Sequence, residues 1–228
     1  MLDEQSKVRL EKLDKLRELG LEVYPYEFKR THGFQEIIES NKDRTNEDLE
    51  AEEQHVKTAG RVLAIRKMGK SAFIHIFDGE HKLQIYVRKD VVADPGFQIF
   101  KLLDIGDIVG VEGKLFRTKS AELTILVSEL TFLTKSLHPL PEKWHGLKDK
   151  ELRYRQRYVD LIVNENTRKI FNLRSRIIQK IRMFFYDRDY LEVETPMMHS
   201  IPGGASARPF ITKHNALSID LYLRIAPE

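Results

Sequence analysis

Between residues 56 and 133 the chain breaks into five short runs rich in β-branched and aromatic residues, and no other feature limits its fold as strongly. The runs cover 56–66, 71–77, 83–88, 107–116 and 123–132, and they alternate in the period-two manner of strands with one face buried. Turn-forming residues stand where a meander needs them, at Met68-Gly69-Lys70, Asp78-Gly79 and Lys119-Ser120. Between the third and fourth runs, residues 94–103 read as a helix started near Pro95 and followed by Asp104-Ile105-Gly106-Asp107. The order is therefore three strands, a helix and two strands.

That order is the order of an OB-fold, a small Greek-key barrel that often binds oligonucleotides. Upstream, Leu2, Leu10, Leu13, Leu16 and Leu19 fall at helical spacing among Lys7, Arg9, Lys12, Lys15 and Arg17, with Gly20 at the expected C′ position. The basic face of this helix reads first as solvated surface. Short helices are expected over 34–40 and 45–51, around the polar turn Asn41-Lys42-Asp43, as a leader packed on the barrel. Downstream, Pro139 and Pro141 mark 136–144 as an interdomain linker. Residues 166–188 place Ile170, Leu173, Ile177, Ile181 and Phe184 on one helical face, 191–195 reads as a strand ending at Pro196, and 209–225 as strands around a His214-Asn215 turn. The expected class is α+β: an N-terminal OB-fold β-barrel with a helical leader, then an antiparallel-sheet domain.

Composition narrows the function classes. The chain has no cysteine, so disulfides, thiol redox chemistry and cysteine zinc sites are excluded. No apolar run approaches the ~20 residues that span a bilayer, and the charged N-terminus lacks a secretory signal, so a cytoplasmic protein is expected. A net charge of +3 permits a nucleic-acid partner without demanding one.

An OB barrel that binds single strands offers rings for stacking, polar groups for base edges and cations for phosphates. Candidates here are Phe73, Phe77 and Tyr86; Gln84 and Glu122; and Arg66, Lys67 and Lys70. Alternation puts Phe73 and His75 on one face and Ile74 and Ile76 on the other, and either face is open to being the core. The later charged run containing Arg153, Arg155, Arg157 and Tyr158 is interleaved with Asp149, Glu151 and Asp160, and reads equally as a nucleic-acid patch or as a salt-bridged surface or interface helix.

The runs GRVLAIRKMGKSAFIHIFDGEHKLQIYVRKD and GDIVGVEGKLFRTKSAELTI resemble the anticodon-binding barrel of class II lysyl-tRNA synthetases (lysine–tRNA ligases). The stretch PLPEKWHGLKDKELRYRQRYVDL is similar to that family's linker, and RDYLEVETPMM, followed by IPGGASARPFITKHNALSIDLYLRIAPE, resembles the opening of its catalytic domain through motif 1. The resemblance implies a leader over 1–55, an anticodon-binding domain over 56–135, a linker over 136–150 and a partial class II catalytic domain over 151–228. It implies that Phe73 stacks on an anticodon base of tRNA(Lys) and that Arg66, Gln84 and Glu122 contact its uridines. Uracil has two carbonyl acceptors and one imino donor, which suit Arg66 and Gln84 for the former and the Glu122 carboxylate for the latter.

The same resemblance implies that Gly204 and Glu228 contact the lysine substrate and that Pro196 lies at a homodimer interface. ATP and Mg²⁺ serve the complete enzyme through ligands expected beyond residue 228, with neither a catalytic residue nor a metal ligand expected within this stretch. The chain thus reads as the front portion of a lysine–tRNA ligase ending before motif 2, inactive in aminoacylation by itself; a tRNA-binding paralogue without catalysis is the alternative. Two departures from the family pattern stand out: Ser120-Ala121, near a usual glycine, and Asp189, in place of one.

Overall fold

A computed structural model describes residues 3–141 and 147–226. The chain separates into two compact units, Met1–Glu165 and Asn166–Glu228.

The first unit opens with helix α1 (Glu4–Glu18), whose N-cap Asp3 accepts a hydrogen bond from the Ser6 amide. It ends in a Schellman turn: Gly20 adopts φ +73°, its amide bonds the Arg17 carbonyl, and the Leu21 amide reaches back to Leu16. Leu13 and Leu16 are buried, but Leu10 and Leu19 remain exposed, and Leu2 lies outside the described residues. The basic side of the helix is not simply solvated. Arg9 donates to the carbonyls of Ile105 and Ser136, and Lys12 pairs with Asp104 at 2.6 Å, so these cations dock the helix. Helices α2 (Phe34–Ser40) and α3 (Asn46–Glu52) follow, the latter opened by a capping box in which Thr45 and Asp48 satisfy each other's amides.

Strands β1 (His55–Met68), β2 (Ser71–Phe77) and β3 (Lys82–Arg88) form an antiparallel meander. Helix α4 (Gly96–Leu102) then leads to β4 (Ile108–Arg117) and β5 (Leu123–Thr134). The strands close in the order β1-β2-β3-β5-β4, with β3 and β5 parallel and β4 returning antiparallel to β1. This is the expected OB barrel. Its interior is filled by Val62, Ile74, Ile76, Ile85, Val87, Val109, Val111, Ile125 and Val127, with Ile99 and Phe100 of α4 in the same core. Ile74 and Ile76 are therefore the core face of β2, which leaves Phe73 and His75 outside.

Phe77 departs from the alternation. It is buried rather than available as an outer ring. Nearby, Phe34 of α2 lies against Gly60, where a Cβ would stand 2.8 Å from the Phe34 ring and 3.0 Å from the Phe77 amide nitrogen. At Gly113, a bulge between β4 and β5 brings the strands so close that a Cβ would meet the Leu126 carbonyl oxygen at 2.0 Å.

A buried charge cluster ties the barrel's end together. The ammonium of Lys135 bonds Asp104 at 2.6 Å, Asp107 at 2.8 Å and the Leu102 carbonyl at 3.0 Å, with Lys135 and Asp107 fully shielded from solvent. Burial of Asp104 works to raise its pKa, but hydrogen bonds from Lys12 and Lys135 outweigh that and hold it below the ordinary value. Leader and barrel are joined at Arg117, whose guanidinium donates to the carbonyls of Asn41, Lys42, Arg44 and Ala121.

After the partly described linker, where Trp144 lies outside the described residues, come α5 (Lys150–Arg155) and α6 (Arg157–Val163). Here Asp160 is buried and accepts from Arg153 and Arg157, while Arg155 pairs with Glu151. Of the two readings left open for this run, these ion pairs favour the salt-bridged surface.

The second unit begins in α7 (Glu165–Tyr186), and its sheet joins β6 (Met198–His199), β7 (Ile211–His214) and β8 (Ile219–Leu223) in the order β6-β8-β7. The expected stripe Ile170, Leu173, Ile177, Ile181 and Phe184 lies exposed along α7. The strand expected over 191–195 does not form, because a strand needs a ladder partner and this segment pairs with none among the described residues. Leu191 and Val193 are exposed there. Instead, Arg224 clips the segment to the end of β8 through the Thr195 hydroxyl and carbonyl.

Candidate nucleic-acid interface

The antiparallel registers of β1, β2 and β3 set two neighbouring rows of side chains across the outer face of the barrel. In one row, Arg66 stands opposite Phe73 and Phe73 opposite Tyr86. The rings of Phe73 and Tyr86 stack, with centroids 4.3 Å apart and planes 17° from parallel. Phe116 of β4 lies 6.2 Å beyond Tyr86 in a tilted arrangement. One face of the Phe73 ring is thus supported by a second ring, the arrangement a stacking platform needs. Arg66 is exposed beside it, with no hydrogen-bond or ion-pair partner among the described residues.

The second row places His75 opposite Gln84, and the parallel pairing of β3 with β5 brings Thr124 next to Gln84. These residues are connected. The Thr124 hydroxyl donates to the Gln84 carbonyl oxygen at 2.9 Å, and the Gln84 amide nitrogen donates to Glu122 Oε2 at 2.7 Å. His75 Nε2 lies 3.0 Å from the other carboxylate oxygen of Glu122. The carboxylate has only lone pairs to offer, so the proton sits on Nε2. Gln84 and His75, whose nitrogens stand 3.5 Å apart, are two donors converging on one acceptor rather than partners of each other.

Gln84 is almost fully buried at its base, whereas Glu122 is about half exposed at the head of β5. The face therefore presents a supported aromatic platform, a carboxylate whose direction is set by two donors, and a free guanidinium within a small patch. It can stack a planar heterocycle, accept a hydrogen bond from an edge N–H, and donate to carbonyl or phosphate oxygens. The four barrel residues expected from the sequence, Arg66, Phe73, Gln84 and Glu122, come together. His75 and Thr124 were missed as members of the patch; the alternation that put His75 beside Phe73 was the available signal for the first. Lys67 lies over the Phe100 ring at 5.7 Å, and the other cations bordering the patch, Arg88 and Lys114, are tied to Asp90 and Glu53. The side-chain hydrogen bond to Arg88 holds the Asp90 carboxyl below its ordinary value, and that from Lys114 does the same for Glu53.

Comparison with known proteins gives this surface a lineage. The family described as OB-fold nucleic acid binding domain matches residues 56–133, and the family described as tRNA synthetases class II (D, K and N) matches residues 149–228. Lysine–tRNA ligase of Bacillus subtilis (strain 168) is 53% identical over 227 residues, 100% of this chain and 46% of its own length. Lysine–tRNA ligases of Carboxydothermus hydrogenoformans and Pelotomaculum thermopropionicum are 54% and 52% identical, with 45% and 44% of their lengths covered. Along its whole length the chain is homologous to lysine–tRNA ligases.

It spans less than half the length of these relatives. Against the family pattern, both departures noted in the sequence fall at left-handed backbone: Ala121 has φ +60° and Asp189 φ +62°. Asp189 occupies the C′ position of a Schellman turn that ends α7, with the Tyr190 amide bonded to the Phe185 carbonyl and the Asp189 amide to that of Tyr186. In the second unit Gly204 adopts φ +95°, and a Cβ there would stand 3.1 Å from that of Ala226. Pro196 is exposed, and Glu228 lies outside the described residues.

Proposed function

We propose that the outer face of β1, β2, β3 and β5 reads the uridine-rich anticodon of tRNA(Lys). The observation that carries this reading is the juxtaposition of the Phe73–Tyr86 stack with the Glu122 carboxylate held by Gln84 and His75. A uracil stacked on the free face of Phe73 meets its complements. Its imino N–H faces the Glu122 carboxylate, and its carbonyl oxygens are served by Arg66 and the second N–H of Gln84. The leader over 1–55, the barrel over 56–135, the linker over 136–150 and the catalytic portion over 151–228 are the working divisions of this proposal.

In the complete protein the reading extends to attachment of lysine to tRNA(Lys) in the cytoplasm. Gly204, whose bare backbone admits a close neighbour, contacts the lysine substrate together with Glu228. Pro196 stands at a homodimer interface that takes up exposed apolar surface of the second unit. The overall reaction uses ATP and Mg²⁺. Among the described residues no group of three or more histidine, aspartate or glutamate side chains is placed to hold a metal ion. No described helix is long and apolar enough to cross a membrane.

The test is titration of the chain with a labelled anticodon stem-loop of tRNA(Lys), comparing wild type with Phe73→Ala. Loss of one stack weakens binding by about 1–3 kcal/mol. Equal binding by the variant would remove Phe73 from the reading role.

A further inference from the structure

We infer that His75 is a specificity-determining positioning residue of the anticodon-reading face: it aims the Glu122 carboxylate at the edge of the base stacked on Phe73. The inference rests on the anticodon reading and adds to it a residue and a mechanism of discrimination.

Glu122 follows the β4–β5 turn and has a flexible, half-exposed side chain. Left alone, such a carboxylate samples several rotamers, and freezing it at the moment of binding costs conformational entropy. Here each of its oxygens is already engaged. Oε2 is held by the Gln84 amide nitrogen, while the side-chain oxygen of Gln84 faces the Thr124 hydroxyl. Oε1 is held by His75 Nε2 at 3.0 Å. His75 grows from a β2 position whose neighbours Ile74 and Ile76 are locked in the core, which fixes its backbone in the middle of a strand, whereas Glu122 stands at a strand's head beside a turn.

The chemistry separates uracil from cytosine. Uracil carries a proton on N3 and donates it to a carboxylate; cytosine presents an N3 lone pair, which the same carboxylate repels. Discrimination between them grows with how firmly the carboxylate is held against that edge, since a loose side chain swings away from cytosine at little cost. His75 thus contributes little to the stack itself and much to the ratio of affinities.

The experiment measures affinities of the whole chain for stem-loops bearing an all-uridine anticodon and for the loops in which one uridine is replaced by cytidine. Wild type, His75→Ala, His75→Gln, Glu122→Ala and the His75→Ala/Glu122→Ala double variant are compared, with thermal unfolding confirming that all fold. At the position stacked on Phe73, His75→Ala should lower the uridine-over-cytidine preference about tenfold, the effect of one charge-assisted hydrogen bond. His75→Gln should recover most of it, because the glutamine amide places an N–H near the position of imidazole Nε2. Adding His75→Ala to Glu122→Ala should change nothing further. An unchanged preference in His75→Ala, alongside a loss in Glu122→Ala, overturns the role of His75 and leaves the anticodon reading standing. Absence of any uridine preference in wild type overturns both.

Discussion

Ala121 and Asp189 hold left-handed backbone without being glycine, and for an alanine that conformation costs about 1–2 kcal/mol. Replacing Ala121 by glycine removes the strain and returns part of the gain as unfolded-state entropy, for a net stabilisation of about 0.5–1 kcal/mol. Asp189→Gly should gain less, since aspartate tolerates this region better. Urea unfolding of the two variants checks the order. The opposite sign is expected at Gly113, where an added Cβ would collide with the Leu126 carbonyl; Gly113→Ala should destabilise the barrel by several kcal/mol or prevent its folding. Much of this scale was legible beforehand. Gly20 was recognisable as a helix stop, and Phe73, Gln84 and Glu122 as outward residues once Ile74 and Ile76 are taken as core. Phe77 was not, because it is buried although alternation from Ile74 and Ile76 puts it on the outer face. His75 was hidden for a related reason: its function lies in a partner across two strands, which alternation along one strand does not reveal.

Strands and helices were the most readable level, since each barrel strand carries its own two-residue period and the turns between them carry glycine or serine. What local pattern lacks is the partner. The expected strand over 191–195 has a suitable sequence and no ladder to join among the described residues, while Arg9 and Lys12 of α1, apparently solvated, engage groups about a hundred residues away. The joints between elements are polar. Lys135→Ala would leave Asp107 buried without its cation, and removing one partner of such a pair typically costs about 3–5 kcal/mol; chemical denaturation measures it. Arg117→Ala strips four carbonyls of a shared donor. Limited proteolysis should then cleave between α2 and α3 faster than in wild type, with the barrel itself remaining intact.

For the molecule as a whole, acid should act in part through the charge cluster at the barrel's end. Asp104 has a folded pKa below its ordinary value of about 3.9, so its ionised form favours the folded state. That contribution is complete above the unfolded value and is lost as pH falls through the folded one. Stability of the first unit measured between neutral pH and pH ~3 should decline, and Asp104→Asn should be less stable at neutral pH with a shallower acid decline. The likeness to lysine–tRNA ligases was readable over the whole chain because its signals are spread from the barrel runs to the stretch ending in Glu228. The decisive measurement concerns the barrel face. In competition binding, stem-loops sharing one stem and differing only in the anticodon are offered to the chain. A strong preference for the all-uridine anticodon that disappears in Phe73→Ala is the predicted result; equal affinity for every anticodon would contradict the account.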